Sequence, residues 1–313
     1  MKRLPALTLL SCLSSMSFAE GGAASLDLVV LGSGGPGAAG RAASSYLVTI
    51  DGRPRILVDA GPGSFARLGE AQLSLADTDT VLLTHLHIDH VGEIPGLFKA
   101  RAVSASGPIV FNVWGPEGSP GHAPDAYFPS TRELMQQLFG AKGAYAYLRD
   151  FSSPMTIRAQ DIAAPVRGAA LAEDAVPRQI LNQADMSITA LAGHHGDAPA
   201  VIYRIEHAGK SITFSGDIDA QGIPALRKMA KETDLLVFNS VVLDPPGSPA
   251  ILYSLHTPPQ AIGELAKNTG AHALLLSHIS PAIDANHDAV LASIRRSYAG
   301  SVTFAKDGMR IHP

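Results

Sequence analysis

Cysteine is all but missing. Cys12 is the only one in 313 residues, so no disulfide can close within the chain. A basic excess is missing as well: Lys and Arg number 24 against 28 Asp and Glu, for a net charge of −4. A polyanion partner needs clustered Lys and Arg to displace counterions from its phosphates. The balance here therefore argues against nucleic acid as a partner and leaves a small anionic substrate open. Charged residues are scarce, at 17% against 46% hydrophobic, which argues against disorder and supplies a sizeable core. A membrane span is lacking too, because the apolar stretch Leu4 to Leu13 is too short for one.

That stretch reads instead as part of an export signal. Met1-Lys2-Arg3 is a basic start, and Ser17-Phe18-Ala19 offers small residues where a signal peptidase reads. Cleavage after Ala19 predicts a periplasmic or secreted protein with a single mature domain over residues 20–313. It removes Lys2 and Arg3, moves the net charge from −4 to −6, and leaves no cysteine. Leu9-Leu10-Ser11-Cys12 is an alternative reading, similar to a lipoprotein cleavage site. Any metal in the mature protein must then be held by His, Asp or Glu.

Such residues crowd into one place. Thr84-His85-Leu86-His87-Ile88-Asp89-His90 follows Val81-Leu82-Leu83, a predicted buried strand, and precedes a predicted helix from Val91 to Ala100. Protonated imidazoles packed so densely would repel one another. Neutral imidazoles beside an ionised carboxylate are the ligands that Zn²⁺ and similar divalent ions prefer. The alternation of His85 and His87 lets both reach one ion, while Asp89 and His90 on the following bend can reach a second.

HLHIDH fits the H-x-H-x-D-H pattern, and at these residues the chain resembles the metallo-β-lactamase superfamily. Its flanks are similar to the ribonuclease Z branch, which includes a group of secreted arylsulfatases. The resemblance extends over most of the mature chain. It implies an α/β protein, an αββα sandwich of two mixed β-sheets flanked by helices.

The rest of the sequence supports a site gathered at strand ends. Four apolar strands each lead to a polar residue able to bind metal or move a proton. Ser187 to Leu191 leads to His194-His195, Ser211 to Ser215 to Gly216-Asp217, Ala273 to Leu276 to Ser277-His278, and Asp234 to Phe238 to Asn239-Ser240. The resemblance assigns His195 to the first metal and His278 to the second. Asp217, in the family's Ser-Gly-Asp motif, bridges both, and only one of His194 and His195 is expected to ligate. His256-Thr257 resembles the H-x-T segment of the ribonuclease Z branch. Asp59, at the end of Ile56 to Val58, either orients a metal-bound histidine or caps the next turn.

Gly32-Ser33-Gly34-Gly35-Pro36-Gly37 matches G-x-G-x-x-G, but no helix can begin there, so a dinucleotide site is excluded and a glycine-rich turn between strands is predicted. Residues 101–186 are expected to form a lid or pocket wall, with a capping box at Ser130 and Glu133 opening one helix. Some ribonuclease Z enzymes carry a basic arm here that grips transfer RNA. Lys142 to Asp185 holds five basic residues and five acids, so no such arm is visible. The branch's usual Ser-Pro-Arg-Tyr after the last histidine is also broken, since Ala282-Ile283 follows Pro281.

The expected cofactors are two divalent ions, Zn²⁺ first, with Mn²⁺ or Fe²⁺ as alternatives. His85, His87 and His195 hold one, Asp89, His90 and His278 the other, and Asp217 is shared. A hydroxide between them attacks, Asp89 steers it, and His256 protonates the departing oxygen. The expected substrate is a small phosphodiester or sulfate ester, with no nucleic acid. Lactone or β-lactam hydrolysis is the alternative on the same scaffold, followed by iron-dependent oxidoreduction. The family resemblance also suggests a homodimer.

Overall fold

The computed structural model describes residues 24–37, 40–120, 127–164, 171, 175–183 and 186–313. The stretch read as an export signal, 1–19, lies outside them. Strands β1 (Leu26–Gly32), β2 (Ser45–Ile50), β3 (Arg53–Val58), β4 (Thr80–Leu82) and β5 (Ile109–Pro116) begin the first sheet. A small hairpin, β6 (Ser119–Pro120) and β7 (Tyr127–Phe128), precedes β8 (Met155–Ile162). The second sheet takes β9 (Arg178–Gln183), β10 (Met186–His195), β11 (Ala198–His207), β12 (Lys210–Phe214), β13 (Leu235–Asn239), β14 (Ala273–Ser277) and β15 (Ser301–Phe304). β16 (Arg310–Ile311) then returns to the first.

The orders are β16-β1-β2-β3-β4-β5-β8 and β15-β14-β13-β12-β11-β10-β9. Both sheets are mixed. β1 to β3 pair antiparallel, then β3-β4-β5-β8 run parallel. In the second sheet β9 to β12 are antiparallel and β12 to β15 parallel.

Strand periodicity dictates the layering, because successive side chains point to opposite faces and both faces are buried. In β1, Leu28 and Val30 meet Ile188, Tyr203 and Phe214 of the other sheet, while Val29 and Leu31 face helices. Helices α1 (Ser64–Glu70), α2 (Ile88–Val91), α3 (Ile94–Ser104) and α4 (Thr131–Phe139) belong to the first half of the chain. Phe98 of α3 and Met135 of α4 cover that outer face. Helices α5 (Ile223–Met229), α6 (Pro259–Thr269), α7 (Pro281–Asp284) and α8 (His287–Arg295) follow. Leu226, Ile262 and Ile294 from α5, α6 and α8 cover the second sheet. The result is the expected αββα sandwich. Among the described residues no helix is long and apolar enough to cross a membrane.

Two expectations need correction. Helix formation starts at Ile88, inside the histidine motif, and α2 ends at Val91 before α3 begins at Ile94 with Pro95 in its first turn. Pro95 is tolerated there because the first N–H groups of a helix have no partner to lose. The 101–186 region, expected as lid or pocket wall, supplies β5 and β8 to the first sheet, with α4 packed on its outside. Its hairpin reaches the histidine motif, where the Phe128 ring stands 6.3 Å from that of His87. The capping box is present: Ser130 Oγ accepts from Glu133 N–H, and Glu133 accepts from Ser130 N–H.

Candidate metal centre

The residues named from the sequence come together at strand ends. β4 stops at Leu82, and the chain passes through His85 into α2, whose first turn carries Asp89 and His90. β10 ends at His195, Asp217 follows β12, and His278 follows β14. β12, β13 and β14 are parallel neighbours, so their carboxyl ends lie side by side. Val201 N–H donates to the Thr84 carbonyl at 2.7 Å and ties β11 to the histidine turn.

Ligand atoms of His85, His87 and His195 lie within 4.8 Å of one another, as do those of Asp89, His90 and His278, and those of His85, His90 and Asp217. Asp217 is the hub. Its Oδ2 stands 3.5 Å from His278 Nε2, 3.7 Å from His195 Nε2, 3.8 Å from His90 Nε2 and 3.9 Å from His85 Nε2. These gaps are too long for good hydrogen bonds. They approach the roughly 3.4 Å that separates two atoms each about 2.1 Å from one tetrahedral ion. Nε2 of His85 and of His90 is buried with no hydrogen-bond partner, which is costly unless a cation takes up the lone pair. The donor set fits divalent metal.

The rings are aimed from behind. Asp59, left open by the sequence between two roles, takes the orienting one: its Oδ2 accepts from His90 Nδ1 at 2.8 Å. The same carboxylate accepts from Thr84 N–H at 2.7 Å and from Thr84 Oγ1 at 2.8 Å. His195 Nδ1 donates to the Leu255 carbonyl at 2.8 Å. Each bond fixes the proton on Nδ1 and turns the Nε2 lone pair towards the cluster. Asp59 and His278 both hold left-handed backbone, with φ of 55° and 53°. Such conformations in non-glycine residues concentrate at functional sites.

The glycine-rich turn also has a structural purpose here. A Cβ on Gly35 would stand 2.8 Å from Cε1 and Nδ1 of His278, so only glycine lets that ring seat against the turn. Ile279 N–H donates to the Ser33 carbonyl at 2.8 Å and fixes the approach.

Electrostatics sort the groups into ligand-competent forms. Burial pushes the His85, His87 and His195 imidazoles down and takes His256 to about 4. For Asp217 burial works the other way, but the surrounding imidazoles, His278 and His90 foremost, hold the carboxyl well below its usual range. Asp89 is likewise held low against burial, by the hydrogen bond from His278. His90 is the exception. Burial opposes its charge, yet Asp59, through charge and hydrogen bond, lifts it to about 9. A metal ion must displace that proton to bind.

His256, assigned from the sequence to proton transfer, joins the cluster. Its Nδ1 lies 3.9 Å from Asp217 Oδ2 and is buried without a hydrogen-bond partner. With His195 and Asp217 it forms a further group close enough to share an ion, which the sequence reading did not foresee. His194 turns away to Asp219, with Nδ1 at 2.7 Å from the carboxylate. Thr84, the Leu255 carbonyl and Asn239 were not anticipated as supports. Asn239 alone left a signal, as the polar end of an apolar strand.

The sequence profile of the "Beta-lactamase superfamily domain" matches residues 54–279. The chain belongs to this superfamily. Within it the chain stands with the ribonuclease Z-like branch, and its class is that of a metal-dependent hydrolase. It is similar to "Ribonuclease Z" of Mycobacterium sp. (strain KMS), 26% identical over 275 residues, covering 84% of this chain and 87% of the relative. Among solved structures, the metallo-beta-lactamase fold protein YhfI from Bacillus subtilis superposes with a TM-score of 0.66 at 23% identity, covering 93% of this chain and 100% of that one. Human tRNase Z, short form, gives 0.65 at 21% identity, covering 91% and 98%. The relatives named as ribonucleases run against the expectation that nucleic acid is excluded.

Proposed function

We propose that this protein hydrolyses phosphodiester bonds with two divalent metal ions. The observation that carries the reading is the convergence of His85, His90, His195 and His278 on Asp217 Oδ2, at 3.5 to 3.9 Å, with His256 beside them. His85, His87 and His195 would hold one ion, Asp89, His90 and His278 the other, and Asp217 both, with Zn²⁺ as the first candidate. When bound, such ions supply Lewis acidity and lower the pKa of a water towards roughly 7. Asp89 accepts a hydrogen bond from the attacking water. His256 delivers a proton from Nδ1 to the departing oxygen. Burial keeps His256 neutral in the ligand-free chain, so as the acid it takes up a second ring proton with the substrate, whose anionic phosphodiester offsets burial and the charge of the ions.

Phosphodiester is favoured over sulfate ester because the matched relatives are named for ribonuclease activity. The absence of a basic arm and the net charge of −4 favour a small substrate. RNA is the second reading, supported by those same names. Metal-loaded protein should be tested on bis(p-nitrophenyl) phosphate, dinucleotides, a structured RNA, p-nitrophenyl sulfate, a lactone and a β-lactam. Turnover of sulfate or lactone without any phosphodiester would overturn the proposal, and turnover of RNA with no small diester would move it to the second reading. His256→Ala should keep both ions and lose about 10²–10⁴-fold on alkyl diesters, with far less loss on nitrophenyl leaving groups. Export with cleavage after Ala19 belongs to the same proposal. N-terminal sequencing of the mature protein tests it: an intact Met1-Lys2-Arg3 start would refute it.

A further inference from the structure

Asp217 presents its two oxygens to different surroundings. Among the described residues five imidazoles come within 4 Å of it at Oδ2, from His278 at 3.5 Å to His85 and His256 at 3.9 Å. Oδ1 accepts instead from Asn239 Nδ2 at 2.7 Å. The carboxyl of Asp217 is held ionised by the imidazoles around it. It can therefore only accept, which makes the amide nitrogen of Asn239, rather than its oxygen, the facing atom.

Asn239 is itself fixed. It ends β13, between β12 and β14, the two strands whose loops carry Asp217 and His278. Its N–H donates to Ser215 Oγ at 3.2 Å, Ser215 N–H donates to the Val237 carbonyl at 3.0 Å, and Ser240 N–H donates to the Ser277 carbonyl at 2.7 Å. It is 5% exposed, so no water competes freely for the bond. A charge-assisted hydrogen bond in such a place is strong and directional.

We infer that Asn239 is a positioning residue that withholds Asp217 Oδ1, so that Oδ2 alone is offered to the cations. This rests on the two-ion reading above. A carboxylate free to rotate could offer both oxygens to one ion, or one oxygen to each. With Oδ1 tethered, Asp217 serves both sides of the cluster through one atom, and the second ion depends on the tether.

The test uses full-length protein stripped with chelator and reloaded with Zn²⁺ or Mn²⁺, comparing wild type with Asn239→Leu and Asn239→Ala. Competition titration against a chelating indicator should show the second equivalent bound 10–100-fold more weakly in the variants, the range expected for loss of a group behind a ligand. The Mn²⁺-loaded wild type should give the electron paramagnetic resonance spectrum of a coupled pair, and the variants that of isolated ions. A general loss of stability would not by itself change the coupling. Variants holding two ions with wild-type affinity and a wild-type coupled spectrum would overturn the inference. So would X-ray absorption or a metal-loaded crystal of the wild type with Oδ1 as a ligand, a measurement that needs no variant to fold. Fewer than two ions per wild-type chain would instead sink the two-ion reading, and this inference with it.

Discussion

Replacing Asp59 with Asn keeps the shape of a residue that is 1% exposed and removes its charge. The wild-type carboxylate accepts three hydrogen bonds, from Thr84 N–H, Thr84 Oγ1 and His90 Nδ1. An amide has only one oxygen, so its NH₂ must face a donor. If it faces His90, the ring must accept at Nδ1 and carry its proton on Nε2, which then points a hydrogen at the place a cation would occupy. On the two-ion proposal, the ion held by His90 should bind about 10–100-fold more weakly. The metal-free protein gives a cleaner number. His90 rises from an ordinary 6.5 to about 9 against the pull of burial, with Asp59 the foremost cause of the rise. At 1.36 kcal/mol per pH unit this is about 3 kcal/mol of extra proton affinity in the folded state. A group raised on folding stabilises fully below its unfolded pKa and loses that contribution as pH climbs through the folded value. Chelator-stripped wild type should therefore lose about 3 kcal/mol from this group between pH 6.5 and pH 9.5. In Asp59→Asn the foremost cause of the rise is gone and only the Asp217 and Asp89 charges still oppose burial at His90, so most of this loss should vanish. Urea unfolding at four or five pH values measures both proteins, and above pH 6.5 their difference reports the His90–Asp59 pair because every titrating group outside that pair is shared. Parallel stability curves for the two proteins would refute the reasoning.

On the acid side the sign reverses for His256, pushed down by burial from 6.5 to about 4. The unfolded chain takes up that proton first, so stripped protein should lose about 3 kcal/mol as pH falls from 6.5 to 4, and His256→Ala should flatten this limb in the same urea assay. Gly35→Ala would place a methyl 2.8 Å from two ring atoms of His278, so it should lower metal content after dialysis and cost about 1–3 kcal/mol; unchanged metal content and melting would show that the ring can move away. Ser130→Ala removes one arm of the capping box that opens α4 and should lower the unfolding free energy by about 1 kcal/mol with metal binding intact.

What the sequence could and could not show follows from how each contact is made. His85, His87, Asp89 and His90 fall within six residues, so their crowding is visible without knowing the fold. His195, Asp217 and His278 are legible more weakly, as polar residues where apolar strands stop. The mixed sheets explain why strand ends suffice: β12, β13 and β14 run parallel, so their carboxyl ends share one edge. The failures have the opposite origin. β5 packs Ile109, Phe111 and Val113 against helices and leaves Val110 and Asn112 half-buried. That short alternating pattern does not say which neighbours a strand takes, so it does not separate an interior strand from cover. The start of α2 was missed because ligand chemistry, not helix periodicity, chose the residues from Ile88 to Val91.

Asn239 marks the boundary between the two kinds of knowledge. Its place at the end of an apolar strand could be read, but its bond to Asp217 depends on the register between β12 and β13, which pairs Phe214 with Val237. With that register the residue three beyond Phe214 meets the residue two beyond Val237. A slip of one residue would send the Asn239 side chain to the other face of the sheet and leave Asp217 Oδ1 without its tether. The metal centre is thus specified twice, once by ligands whose chemistry shows in the sequence, and once by a strand register that only the folded chain displays.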